Sequence, residues 1–214
     1  MKKIMFNDKY GLTRAVLEGR KTQTRRMLNP TMFFRRLETY EGWSNEDISA
    51  WKISCNRRFY EAQGDTLQQM IDYALSSSRY KLGETVAIAQ SYKDIHAEKL
   101  RVVGPCDLKK EFLQSKGYKN KMFVRAEKMP HAIRITNIRV ERLQDISDED
   151  CLKEGIWRDD NVGLEGTTYW YHGLANSSFR TPQAAYASLI DSISGKGTWA
   201  SNPYVFVYEF ELIN

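Results

Sequence analysis

A chain of 214 residues, 42% apolar and 28% charged, is long enough to bury a core in one domain, and its composition excludes disorder and collagen-like repeats. The formal charge is +5, but the first 36 residues hold ten Lys or Arg against Asp8 and Glu18, so that segment carries +8 and the remainder −3. This asymmetry points to an anionic partner. No run approaches the about 18 apolar residues a membrane-crossing helix needs, and Met1–Asp8 runs into charge without an apolar signal core. No membrane partner is expected, and a soluble, cytoplasmic protein is. Cys55, Cys106 and Cys151 are odd in number and widely spaced, so neither a disulfide framework nor a metal site is indicated, and no cofactor is expected.

In chain order, Lys2–Phe6 reads as a short strand. Asp8 then caps a helix carrying Leu12, Ala15 and Val16, which stops at Gly19. If the next segment is extended, Thr22, Thr24 and Arg26 share one face and Gln23, Arg25 and Met27 the other, with Pro30 ending the strand. Residues 31–80 lack a clean period and read as an insertion, with one helix over Asp65–Leu75. Gly83–Tyr92 reads as a strand, 93–120 as a charged loop, Met122–Ala126 as a strand and Arg134–Gln144 as a half-buried strand. Ser147-Asp-Glu-Asp150 has the form of a capping box, so a short helix runs to Glu154 and ends at Gly155. Thr181-Pro182 opens a second helix, and the chain closes on a strand over Tyr204–Leu212. Strands outnumber helices without regular alternation, which predicts an α+β fold with a mixed or barrel-like sheet.

Gly195-Lys-Gly-Thr198 lacks the earlier glycine of a phosphate loop, since Ile190 stands there. His96, His131 and His172 are scattered and read as surface or satisfied side chains. The segment of most chemical interest is Gly19-Arg-Lys-Thr-Gln-Thr-Arg-Arg26, four cations and two hydroxyls behind a helix stop. Two readings stay open. A charged edge strand discourages aggregation. Alternatively, a lysine held near other cations and partly desolvated takes the proton from a threonine hydroxyl, Thr24, with Glu154 as the acid that orients it or returns the proton.

This octapeptide resembles the ASCH-domain signature Gly-x-Lys-Thr-x-Thr-x-Arg, a branch of the PUA-like superfamily. The resemblance continues, in the manner of phage and prophage members, through Gly83–Tyr92, Met129-Pro130 with Arg134-Ile135, Val140–Ser147 leading to Glu154-Gly155-Ile156, and Gly195–Trp199 with Asn202-Pro203 and the last strand. It covers about residues 3–30, 80–92 and 122–214. It implies one domain over 1–214, a mixed β-barrel with flanking short helices and an irregular or helical insertion at about 31–80. It further implies binding of RNA or a modified nucleobase. One bacterial branch is an amidohydrolase that deacylates N-acylated cytidine. Its catalytic Lys, Thr and Glu correspond here to Lys21, Thr24 and Glu154, and the expected ligand-binding residues are Arg20, Thr22, Arg25, Arg26, Tyr92 and Arg134. Trp157, Trp170 and Tyr171 join Tyr92 as residues able to stack on a base. Departures are Ala89 and Gln90, where relatives carry an Arg-Glu pair, and His131, where an arginine is usual. A phage structural or assembly role without catalysis is the third reading.

Overall fold

A computed structural model describes residues 1–28, 71, 72, 74–103, 113–160, 166–173 and 178–213, with backbone alone at 99–103. Five strands form one mixed sheet: β1 (Lys3–Ile4), β2 (Gln23–Met27), β3 (Thr85–Ile88), β4 (Ala132–Arg142) and a C-terminal strand, Tyr204–Ile213, in the order β1, β3, β4, C-terminal strand, β2. Only the β1–β3 pair is parallel. A separate hairpin pairs β5 (Trp157–Asp159) with β6 (Thr168–Trp170), so the C-terminal strand is β7. The fold is therefore α+β, as the element count predicts. Among the described residues the sheet is open rather than closed into a barrel. Its two edges nevertheless approach one another, because Arg26 Nη2 of β2 donates to the Met5 carbonyl just beyond β1, at 2.5 Å. A side chain thus spans the gap that backbone pairing leaves open.

Register assigns the faces. Thr24 pairs with Tyr208 and Arg26 with Phe206, while Ile138 and Val140 lie opposite Tyr208 and Phe206 on the other side of β7. Thr24, Arg26 and these aromatics share a face with Phe6 and Tyr80, as ring contacts of 5.8 Å for Phe6–Phe210 and 5.2 Å for Tyr80–Tyr208 show. Gln23, Arg25, Val205, Val207, Glu209, Asn137, Arg139 and Glu141 occupy the opposite face. The two-residue alternation of β4 is broken by a bulge at Thr136, which lets Ile133 and Ile135 face the same core as Ile138 and Val140.

The helices are α1 (Leu12–Leu17), α2 (Tyr92–Val103), α3 (Asp148–Lys153), α4 (Pro182–Ser194) and α5 (Thr198–Ser201). Two caps form as the sequence predicts: Ser147 Oγ accepts from Asp150 N at 3.1 Å, and Thr181 Oγ1 from Ala184 N at 3.2 Å. Glu154 follows α3, and Gly155 takes the left-handed turn that ends it, φ 105°. Asp8 does not cap α1. Asn7 caps a 3₁₀ turn over Asp8–Tyr10, and Gly11 leads into α1. The loop expected over 93–120 contains α2, opened by a reciprocal Ser91–Asp94 box: Asp94 N donates to Ser91 Oγ at 3.2 Å and Ser91 N to Asp94 Oδ2 at 3.2 Å. Lys121–Phe123 and Ala126–Lys128 are 3₁₀ turns in place of the expected Met122–Ala126 strand. Of the insertion, residues 31–70 lie outside the described residues. The tail of its expected helix, at 71, 72 and 74–76, is helical and buries Ala74. Gly195-Lys-Gly-Thr198 is a turn between α4 and α5. Asp191 occupies its amides, accepting from Gly197 N at 3.1 Å and Trp199 N at 2.7 Å.

Candidate functional site

Gly19 turns the chain out of α1, and the amides of Arg20 and Lys21 both return to the Ala15 carbonyl at 2.9 Å. Thr22 N then donates to the Lys153 carbonyl at 3.0 Å, which lays the octapeptide alongside the end of α3. Lys21 and Glu154, 133 positions apart, consequently meet. The ammonium donates to Glu154 Oε2 at 2.5 Å and to the Glu154 carbonyl at 2.9 Å. Both are almost fully enclosed, with 2% and 4% of their surface exposed. Burial pulls the Lys21 ammonium below its ordinary range, against the attraction of Glu154.

Arg25 completes the cluster. Its Nε and Nη2 donate to Glu141 Oε1 at 3.0 and 2.6 Å, Nη2 also reaches Asp150 Oδ2 at 3.1 Å, and Nη1 reaches Gln23 Oε1 at 3.0 Å and Glu154 Oε1 at 3.2 Å. All five guanidinium protons are thereby used on a buried side chain, the arrangement a desolvated arginine needs. Burial acts to lower its pKa, but Glu154 and Glu141 outweigh it and raise the pKa above the ordinary arginine value. Arg139 extends the network to Glu141 at 2.8 Å, Asp150 at 2.7 Å and Glu209, and Gln23 Nε2 joins Asp150 and Glu209 at 3.1 Å each. Tyr186 of α4 is buried beside these charges, and its hydroxyl has no hydrogen-bond partner among the described residues. Burial first, and then Glu154, push that phenol well above its usual range.

The expected catalytic trio is thus joined in one pair and not in the other. Lys21 and Glu154 are in contact, whereas both hydrogen bonds of the Lys21 ammonium go to Glu154 and none to Thr24. Thr24 lies on the opposite face from Arg25, 5% exposed. Arg20 is at the surface: its guanidinium carbon sits 3.7 Å from the centre of the Trp157 ring, and Nε and Nη2 donate to Glu18 Oε2 at 3.1 and 2.8 Å. Thr22 is partly exposed. Two further residues lie apart from this cluster. Tyr92 packs on the small core of Ala87, Ala89, Ile95, Val124, Ala126 and Met129. Arg134 sits in solvent beside Glu211 at 3.6 Å, about 15 Å along β4 from Arg139.

Gln23, Arg139, Glu141, Asp150 and Tyr186 were not expected at the site. A signal for two of them was present. Gln23 shares the strand face of Arg25, and Asp150 stands one helical turn before Glu154, so these two acids match two cations of the octapeptide. Cys151 of α3 is a free thiol that burial pushes up to about 12, which leaves it protonated and unreactive. Among the described residues no group of three or more His, Cys, Asp or Glu could hold a metal ion, and no helix is long and apolar enough to cross a membrane. No protein-family model, no curated protein and no solved structure matches the chain.

Proposed function

We propose that this chain is an ASCH-type, PUA-like protein of the cytoplasm that binds RNA or a modified nucleobase through the surface of its Gly19–Arg26 segment. The observation that carries this reading is the Lys21–Glu154 contact at 2.5 Å, which joins two residues paired by the family pattern and by nothing in their sequence spacing. Binding is favoured over hydrolysis of N-acylated cytidine by how the charges are used. Lys21 and Arg25 are both spent on Glu154, so the lysine does not hold the Thr24 hydroxyl as a base would. Arg20, Thr22 and the partly exposed Arg26 form the solvent-facing part of the motif.

The test is a titration with a single-stranded oligoribonucleotide at several salt concentrations, beside incubation with N-acetylcytidine followed by chromatography. Salt-dependent binding without release of acetate supports the proposal. Turnover abolished in both Thr24→Ala and Lys21→Ala would establish the amidohydrolase instead. Neither binding nor turnover from folded protein would refute both readings.

A further inference from the structure

We propose that Arg20, Trp157 and Trp170 form the stacking platform of this protein, on which a nucleobase lies against the outer plane of the Arg20 guanidinium. The inference rests on the nucleobase-binding reading and specifies which residues would receive the base.

Of four aromatic residues able to stack on a base, the structure retires two. Tyr171 is buried, 2% exposed, with its hydroxyl 2.9 Å from Ser188 Oγ. Tyr92 packs on its own small core, its ring so close to Gly117 that a Cβ there would lie 2.7 Å away. Trp157 and Trp170 remain. They face each other across the β5–β6 hairpin, 5.2 Å between ring centres and 5° from parallel, and both are only partly buried. Arg20 lies over Trp157 at 3.7 Å, the separation of stacked planes. Its Nε and Nη2 both donate to Glu18, which fixes the plane from its edge, and the side chain keeps 27% exposure.

Position ties the stack to the candidate site. Arg20 and Trp157 are the outward neighbours of Lys21 and Gly155–Ile156, so the two segments are clasped inside by Lys21–Glu154 and outside by Arg20–Trp157. A planar base is the ligand that such a surface suits. Aromatic rings and arginine planes both accept bases with little regard to sequence, and stacking needs no hydrogen-bond code. Arg14, Lys153 and Arg158 lie nearby in sequence, exposed by half or more, and the partners of Arg14 and Arg158, Glu18 and Asp160, are surface acids that a phosphate can replace.

The experiment follows intrinsic tryptophan fluorescence and anisotropy of a labelled octamer of cytidylate, with cytidine and N-acetylcytidine as separate arms that distinguish a strand from a free nucleoside. Three proteins are compared: wild type, Trp157→Leu, and Arg20→Lys, which keeps the charge and removes the plane. The expected result is quenching in the wild type, and affinity weakened about tenfold or more in both variants, with folded protein confirmed by circular dichroism. Arg20→Lys keeps the test decisive should Trp157→Leu fold poorly. Wild-type binding that both variants retain would overturn the platform while leaving the proposed function standing. A wild type that binds neither strand nor nucleoside would overturn the function, and the platform with it.

Discussion

Replacing Lys21 with Met removes one charge from an ion pair almost closed to water. Breaking such a pair generally costs about 3–5 kcal/mol, because the remaining charge is left uncompensated. Here Glu154 keeps Arg25 at 3.2 Å, while its Oε2 and its backbone carbonyl both lose their donor. The lower end, about 3 kcal/mol, is therefore expected. For a domain of this size that is a fall in Tm of roughly 6–12 °C. The assay is urea denaturation of wild type, Lys21→Met, Glu154→Gln and the double variant. Since the double variant leaves no orphaned charge, it should be less destabilised than the sum of the singles by about 2 kcal/mol. A single-variant loss under about 1 kcal/mol, or a cycle additive within about 0.5 kcal/mol, would refute the pairing.

The same lysine makes stability depend on pH. Its folded-state pKa lies below the ordinary 10.5, so between the two values the unfolded chain holds the extra proton and stability rises with pH. Denaturation at stepped alkaline pH should show this rise as a wild-type minus Lys21→Met difference, and a difference that falls or stays flat would contradict it. Tyr186→Phe removes a buried hydroxyl that bonds to nothing among the described residues, so the melting temperature should hold or increase, where a satisfied tyrosine would lose about 1 kcal/mol. Ser147→Ala deletes the cap of α3 and should cost about 1 kcal/mol by chemical denaturation. Because α3 carries Asp150 and leads into Glu154, a further loss in that variant would appear if the cap also anchors the ion network.

Where local chemistry alone decides the conformation, the sequence could be read directly. Ser147 and Thr181 announce their helices through their own side chains, and the alternation of β2 places Thr24 and Arg25 on opposite faces before any tertiary contact is known. The bulge at Thr136 is different: it becomes visible only against the register of β7, because Ile133, Ile135, Ile138 and Val140 break simple alternation yet share one core. Helix α2 was hidden for another reason. Its surface is charged, and of its first residues Tyr92 and Ile95 alone pack on the core, so the apolar period is faint although the Ser91–Asp94 box is present. At the candidate site the Lys21–Glu154 pairing was legible through the motif. The wider network was not, since Arg139, Glu141 and Glu209 reach it from strands that only the folded sheet sets side by side.

That network changes what the basic N-terminal segment can do. Counted from composition it is an eight-charge excess facing an anionic partner, but in the fold Lys21 and Arg25 are enclosed and matched by acids, and Lys3 sits on the carbonyls of Lys121, Met122 and Val124. Lys2 pairs with Glu84, and Arg26 is held by the Met5 carbonyl. Of the described cations in this segment, Lys2, Lys9, Arg14, Arg20 and Arg26 nevertheless keep exposed surface, with Lys153 and Arg158 contributed from beside the platform. Three to seven phosphate contacts give a single-stranded RNA titration a slope of log K against log salt of about −2 to −5, from about −0.7 per contact. A slope steeper than about −5 would require the enclosed cations to reach phosphates, and so would refute the division of this segment into an inward, structural set and an outward, ligand-facing one.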